Sequence, residues 1–206
     1  MRDITSDYWI NRHRSQGRNY VSRRGADNYE EQRTIITAAV RDRLACVGGG
    51  KYARTLDFGC GVGRFQELLW EFSEEIDALD WVDAVLEEVK TNNPRTNIIC
   101  YKDLPLPLEK GRYQFVWTCM VLQHIVNPTR FRETCRQLGE AAAPGAKFVL
   151  IENASDIAPH VALRSPKTYA ASLGFSVNYI EPLAIDKPGS HWSVSYTHLR
   201  AHETPE

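Results

Sequence analysis

The stretch TLDFGCGVGRFQELLW, residues 55–70, places an acid, Asp57, ahead of glycines at every second position, Gly59, Gly61 and Gly63. Glycine has no Cβ, so such a loop leaves its main-chain N–H groups bare and lets a ligand approach the backbone closely. The spacing excludes two common ligands. A dinucleotide loop needs G-x-G-x-x-G, and here the third required position is Arg64, with glycine one residue early at Gly63. A Walker loop needs G-K-[ST], which does not follow. Further along, His124 in VLQHI is the first candidate for a general base. His160, His191, Glu152 and Asp156 also fall in loops at the expected rim, without a spacing that singles any of them out.

The elements that position these residues read from periodicity. RTLDFG is a strand, RFQELLWEFS a helix, EIDALD a strand and DAVLEEVKTNN a helix. NIICY and YQFVWTC are strands, NPTRFRETCRQLGEAA is a helix and KFVLIEN a strand; SPKTYAASLG, FSVNYIEPL and HWSVS add a helix and two strands. Strands alternating with helices predict a doubly wound, Rossmann-like α/β sheet, mostly parallel, with helices on both faces and an antiparallel strand at the C-terminal end. Ahead of it, NYEEQRTIITAAVRDRLACVGGG carries Ile35, Ile36, Ala39, Val40 and Leu44 on a helical period, with Asp27 or Asn28 as N-cap and Gly48 to Gly50 as the stop. In such sheets the ligand crevice lies beyond the carboxyl ends of the strands, where the strand order reverses.

Residues 55 to about 153 resemble the class I S-adenosylmethionine-dependent methyltransferases, on Asp57, Gly59, Gly61 and Gly63, then Asp80 closing EIDALD, a Leu-Pro turn at Leu104, VLQHI, and PGAKFVLIE. The resemblance implies S-adenosylmethionine as cofactor. Its methionine moiety carries a carboxylate and an ammonium but no phosphate, so bare backbone must come close, while Asp57 orients the amine end through the loop. It further implies that Asp80 accepts the ribose hydroxyls, that Trp81 lies against the adenine and that Asp103 meets the adenine amino group; Phe58, Cys60, Leu104 and Thr118 complete the cofactor set. The spacing from Asp103 to Leu-Pro is one residue shorter than the family's, and Gln114 stands where the family commonly has aspartate. His124 is the expected base for an acceptor that carries a proton.

The chain has 206 residues, which suits one core-bearing domain. We divide it into an Arg- and aromatic-rich extension or lid (1–28), the methyltransferase domain (29–194) and a tail (195–206) that reads as translated sequencing-adapter text, the native C-terminus then being missing. The formal net charge is −1, but residues 1–43 hold nine Arg against six acids. That charge, with Tyr8, Trp9, Tyr20 and Tyr29, suits a lid over a flat or anionic acceptor, an RNA surface, or simple pinning of the extension to the body.

The five cysteines form no C-x-x-C pair, so no metal site is expected, and they read as reduced thiols of a cytoplasmic protein. No apolar run is long enough to span a membrane, and no membrane partner is expected. The residues after the fourth strand, TCMVLQH, lack [DN]-P-P-[YF], and no cysteine follows a proline, so DNA is not expected as acceptor. The leading expectation is methyl transfer to an oxygen or nitrogen of a small molecule. RNA or protein acceptors, and a cofactor-binding module without catalysis, are the alternatives.

Overall fold

The computed structural model describes residues 6–17, 31, 33–41, 50–153, 160–183 and 191–199. The expected N-cap at Asp27 or Asn28, the stop at Gly48 and Gly49, and Asp156 lie outside them. Seven strands, β1 (Tyr52–Phe58), β2 (Ser73–Asp80), β3 (Asn97–Cys100), β4 (Tyr113–Cys119), β5 (Ala142–Asn153), β6 (Phe175–Leu183) and β7 (His191–Leu199), form one sheet in the order β3-β2-β1-β4-β5-β7-β6. The first five are parallel; β7 inserts antiparallel between β5 and β6. The order reverses between β1 and β4, which puts the loop after β1 on the floor of the crevice.

Helices α1 (Ser6–Gln16), α2 (33–41), α3 (Gln66–Glu71), α4 (Asp83–Asn92), α5 (Pro128–Ala141) and α6 (Pro166–Leu173) flank this sheet. Alternation along β1 sends Leu56 and Phe58 into a core shared with Phe131, Cys135 and Leu138 of α5 and Tyr169 and Leu173 of α6. On the other face, Ile36 and Val40 of α2 and Leu68, Leu69 and Trp70 of α3 pack with Ile76, Phe115 and Trp117. Leu86 and Val89 of α4 cover Cys60 and Ala78 on that same face.

Local chemistry sets the helix boundaries. The Asn127 side chain accepts from Thr129 N (2.9 Å) and Arg130 N (3.0 Å) ahead of Pro128, and Ser165 accepts from Thr168 N (3.2 Å) ahead of Pro166. Gly174, at φ 77°, ends α6 in the left-handed region. Gln114 accepts from Arg54 N at 2.9 Å and donates to the Arg112 carbonyl at 3.2 Å, so it ties β4 to β1.

Two differences from the expectation stand out. The extension contains a helix, α1, which its polar, Arg-rich composition did not signal. The presumed non-native tail also begins inside a paired strand, because Val149 faces Ser195, Lys147 faces Thr197 and Phe175 faces Leu199. Ladder pairing therefore continues four residues past the boundary placed at Ser195, and only residues 200–206 of that tail lie outside the described residues.

Candidate cofactor crevice and acceptor rim

The glycine loop leaves β1 with Gly59, Gly61 and Gly63 at φ 71°, 52° and 77°, the left-handed region that side chains resist. Packing also excludes a side chain at Gly59 and crowds one at Gly63. A methyl group at Gly59 would run into both γ-methyls of Val121, and one at Gly63 would lie 3.0 Å from Gln66 Cγ and 3.1 Å from Val89 Cγ2. Gly61 instead directs its N–H at Asp80.

Asp80, 7% exposed, accepts from Gly61 N on Oδ2 and from Val82 N on Oδ1, both at 3.0 Å. Burial raises its pKa, and these N–H groups pull it back. Asp57, 3% exposed, accepts from Gln66 Nε2 at 2.5 Å. Burial pushes its pKa up to about 7; the Gln66 bond opposes this, and the Asp80 charge adds to it. Gln66 in turn accepts from Thr96 Oγ1 at 2.9 Å, so the buried acid is held by a chain of side chains running to the loop before β3. Two buried carboxylates thus lie under the glycine loop, whose Gly59, Cys60, Gly61 and Gly63 N–H groups are bonded within the chain.

Helix α1 adjoins this loop. Its Trp9 and Ile10 pack with Val62 of the loop, Val82, Val85 and Trp81. Trp9 also meets His124 edge-on, ring centroids 4.9 Å apart, and Tyr8 lies 5.6 Å from His160. Arg12 donates to the Tyr8 hydroxyl at 2.9 Å, and His13 pairs with Glu88 of α4 at 3.3 Å. The short 3-10 turn Leu122–His124 follows β4 and forms the rim. The His124 Nδ1–H donates to the His160 carbonyl at 3.0 Å, leaving Nε2 as the acceptor opposite Gln123 Nε2 at 3.3 Å. Burial pushes the His124 pKa down to about 4, so the imidazole is neutral at pH 7.

A family model described as a methyltransferase domain matches residues 56–150, the span from β1 to β5 that carries this crevice. Residues 56–150 carry a methyltransferase domain. It is 21% identical over 138 residues to a malonyl-[acyl-carrier protein] O-methyltransferase of Enterobacter lignolyticus, covering 67% of this chain and 54% of that protein. Among solved structures it superposes on an S-adenosylmethionine-dependent methyltransferase of Leishmania major with a TM-score of 0.76, at 18% identity over 93% of this chain and 82% of the other. It also superposes on phosphoethanolamine N-methyltransferase 1 of Haemonchus contortus, bound to phosphoethanolamine and S-adenosylhomocysteine, with a TM-score of 0.74 at 13% identity, over 97% of this chain and 49% of the other. The chain spans about half the length of the curated relative and of the Haemonchus enzyme.

Asp57, Gly59, Cys60, Gly61, Gly63, Asp80 and Trp81 gather around the loop after β1, Asp80 bonded to Gly61, Asp57 to Gln66, and Trp81 packed with Val62. Cys60 is buried, its thiol donating to the Gly61 carbonyl at 3.4 Å, and burial pushes its pKa well up. Phe58 and Leu104 side chains belong to the core under α5 and α6, and Thr118 is fully buried. The Asp103 side chain is 72% exposed, paired with Arg130 of α5 at 2.9 Å and accepting from Leu104 N at 2.8 Å. The Trp81 ring lies parallel to Tyr101, centroids 6.3 Å apart, and Tyr101 in turn faces Phe58 at 6.2 Å.

Sequence reasoning missed Gln66, Val121 and Tyr101, and left Glu152 undistinguished among the rim residues. Gln66 had a signal: a lone polar residue on the apolar face of a helix, three positions after the last loop glycine. Val121 had none, since its contact with Gly59 is made across the strand-order reversal. Among the described residues, no helix is long and apolar enough to cross a membrane and no group of three His, Cys, Asp or Glu could hold a metal ion.

Proposed function

We propose that this chain transfers the sulfonium methyl of S-adenosylmethionine to an oxygen or nitrogen of a small-molecule acceptor that enters beside His124. The observation that carries the reading is Asp80, buried at the carboxyl end of β2 beside the glycine loop and fixed by the Gly61 and Val82 N–H groups. The residues fit the cofactor. Each oxygen of a carboxylate has two lone pairs, and Asp80 gives one per oxygen to the backbone, so both oxygens keep capacity for a ribose hydroxyl. The loop carries no side chain at Gly61 to keep the methionine end away, Asp57 lies behind it, and Trp81 supplies a flat apolar face. When bound, the cofactor supplies an electrophilic methyl group for in-line displacement.

This chain's part is to hold the acceptor in line and keep water out. Trp9 and Ile10 of α1 make an apolar wall over Val62 and Val82, which serves water exclusion. His124, at the rim, is neutral and engaged at both nitrogens, Nδ1 with the His160 carbonyl and Nε2 with Gln123 Nε2. A base with a pKa near 4 is a poor proton acceptor at pH 7. The burial of His124 therefore favours an acceptor atom that needs no deprotonation by the protein. The oxygen and nitrogen methyltransferases among the relatives agree with either acceptor atom.

Calorimetric titration with S-adenosylhomocysteine is expected to show one site. In Asp80→Asn one backbone N–H must face the new amide NH₂, and a charge-assisted bond of about 1.5–3 kcal/mol is lost, a weakening of roughly ten- to hundredfold. Unchanged affinity would refute the crevice. Turnover is then measured with pools of small amines and carboxylates against RNA and protein. Methylation of a macromolecule alone would overturn the small-molecule reading, and binding without any turnover would mark a non-catalytic module.

A further inference from the structure

Glu152 ends β5 with a carboxylate 2% exposed, yet it does not face solvent or a lone cation. Its Oε1 accepts from Val121 N at 3.1 Å and Leu122 N at 2.9 Å, and its Oε2 accepts from Gln123 N at 3.0 Å. Burying an acid is costly, and one is kept here although burial pushes its pKa up to about 7. The chemical reason is that three N–H groups converge on one point. Among side chains only a carboxylate offers two oxygens that both accept.

The N–H groups converge because the chain turns sharply after β4. Met120 sits at φ 57°, the positive-φ residue other than glycine among those described, and its N–H donates to the Ile151 carbonyl at 2.7 Å. The carbonyl side of the same turn is held by Arg164, which donates to Leu122 O at 3.2 Å and Ile125 O at 2.6 Å. A backbone fixed from both sides leaves Val121 one position, with its γ-methyls pressed on Gly59. Gly59 is the first glycine of the cofactor loop, and its N–H donates to Leu79 O at 2.8 Å, next to Asp80.

We propose that Glu152 and Val121 form one positioning unit for methyl transfer: the carboxylate sets the turn after β4, and through Val121 the turn sets the glycine loop that receives S-adenosylmethionine. The inference rests on the reading of that loop as the cofactor site. It couples the acceptor rim to the cofactor floor, because one turn carries both Val121 and His124. Both residues of the unit are positioning residues.

The test compares Glu152→Gln, Val121→Ala and the double variant by S-adenosylhomocysteine titration and by the amide resonance of Gly59 in the unliganded protein. In Glu152→Gln the amide NH₂ must face one of the three N–H donors, so the turn shifts. Each single variant is expected to weaken binding about tenfold, and the double variant no more than the worse single, since both break one link. Both also displace the Gly59 resonance. A folded Glu152→Gln with wild-type affinity and an unmoved Gly59 resonance, or losses that simply add, would overturn the proposal. If Glu152→Gln does not fold, Val121 decides. Val121→Ala must move the Gly59 resonance, and Val121→Thr, which keeps the branched shape at this half-buried position, must restore it; a silent Val121→Ala refutes the link. Failure of the wild-type protein to bind S-adenosylhomocysteine would instead refute the cofactor reading, with the unliganded resonance still deciding this one.

Discussion

Substituting alanine for Gly59 adds one methyl group at a place where two separate costs can be read from the structure. The backbone there has φ 71°, and holding an L-residue in the left-handed region costs about 1–2 kcal/mol. The new methyl also meets both Val121 γ-methyls, and forcing an extra carbon into a packed site costs about 1–3 kcal/mol. Together they predict a loss of about 2–5 kcal/mol, which at about 2–4 °C per kcal/mol for a chain of this size lowers Tm by roughly 4–20 °C.

Gly145 provides the reference. At φ 76° it has no atom within 4 Å of the place a methyl group would take, so Gly145→Ala carries the backbone cost alone. Urea denaturation of Gly59→Ala, Gly145→Ala, Val121→Ala and the Gly59→Ala/Val121→Ala double variant separates the two costs. Removing the valine methyls should relieve the overlap, so the double variant should be more stable than the sum of the singles by about 1–3 kcal/mol. Simple additivity, or a Gly59→Ala loss no larger than that of Gly145→Ala, would refute the claim that Val121 dictates glycine at this position.

Burial and strand pairing each carry one further prediction. Burial raises Asp57 and Glu152 from ordinary values of 3.8 and 4.5 to about 7, so between those values the folded chain holds protons that the unfolded chain has released. The contribution of these groups to stability is fully present below the unfolded pKa values and is lost as pH rises toward 7, at about 1.4 kcal/mol per unit for each group. The urea midpoint should therefore be higher at about pH 6 than at about pH 8; a flat or rising profile would mean that both acids stay charged in the folded chain. Deleting residues 195–206 removes the ladder pairs of Ser195, Tyr196, Thr197 and Leu199 with β5 and β6, and should lower Tm clearly, whereas an unchanged Tm would return those residues to the status of a non-native tail.

The crevice was legible to different depths. The glycine spacing and the acids at Asp57 and Asp80 are local signals, since strand, loop and helix follow within a few residues and the crevice rule places them on the floor. Asp103 also had a local signal, from a Leu-Pro turn one residue too close, but the structure pairs its exposed side chain with Arg130, a residue of α5 that no local pattern connects to it. His124 sits at the rim as its place after the fourth strand implies. Its weak basicity comes from burial, in a place where its Nδ1 meets the carbonyl of His160, 36 residues away.

The sequence by itself determined the alternation of strands and helices, the identity of the glycine loop and the two acids that flank it. These depend on periodicity, turn chemistry and short-range spacing, all carried within a dozen or so residues. Only the tertiary structure decided that α1 folds over the loop, that β7 pairs through Leu199, that Asp57 and Glu152 are buried deeply enough to have strongly raised pKa values, and that Val121 and Gly59 share one space. Each of these depends on which distant segments the sheet order brings into contact, and burial and close packing are properties of such contacts rather than of any residue's neighbours along the chain.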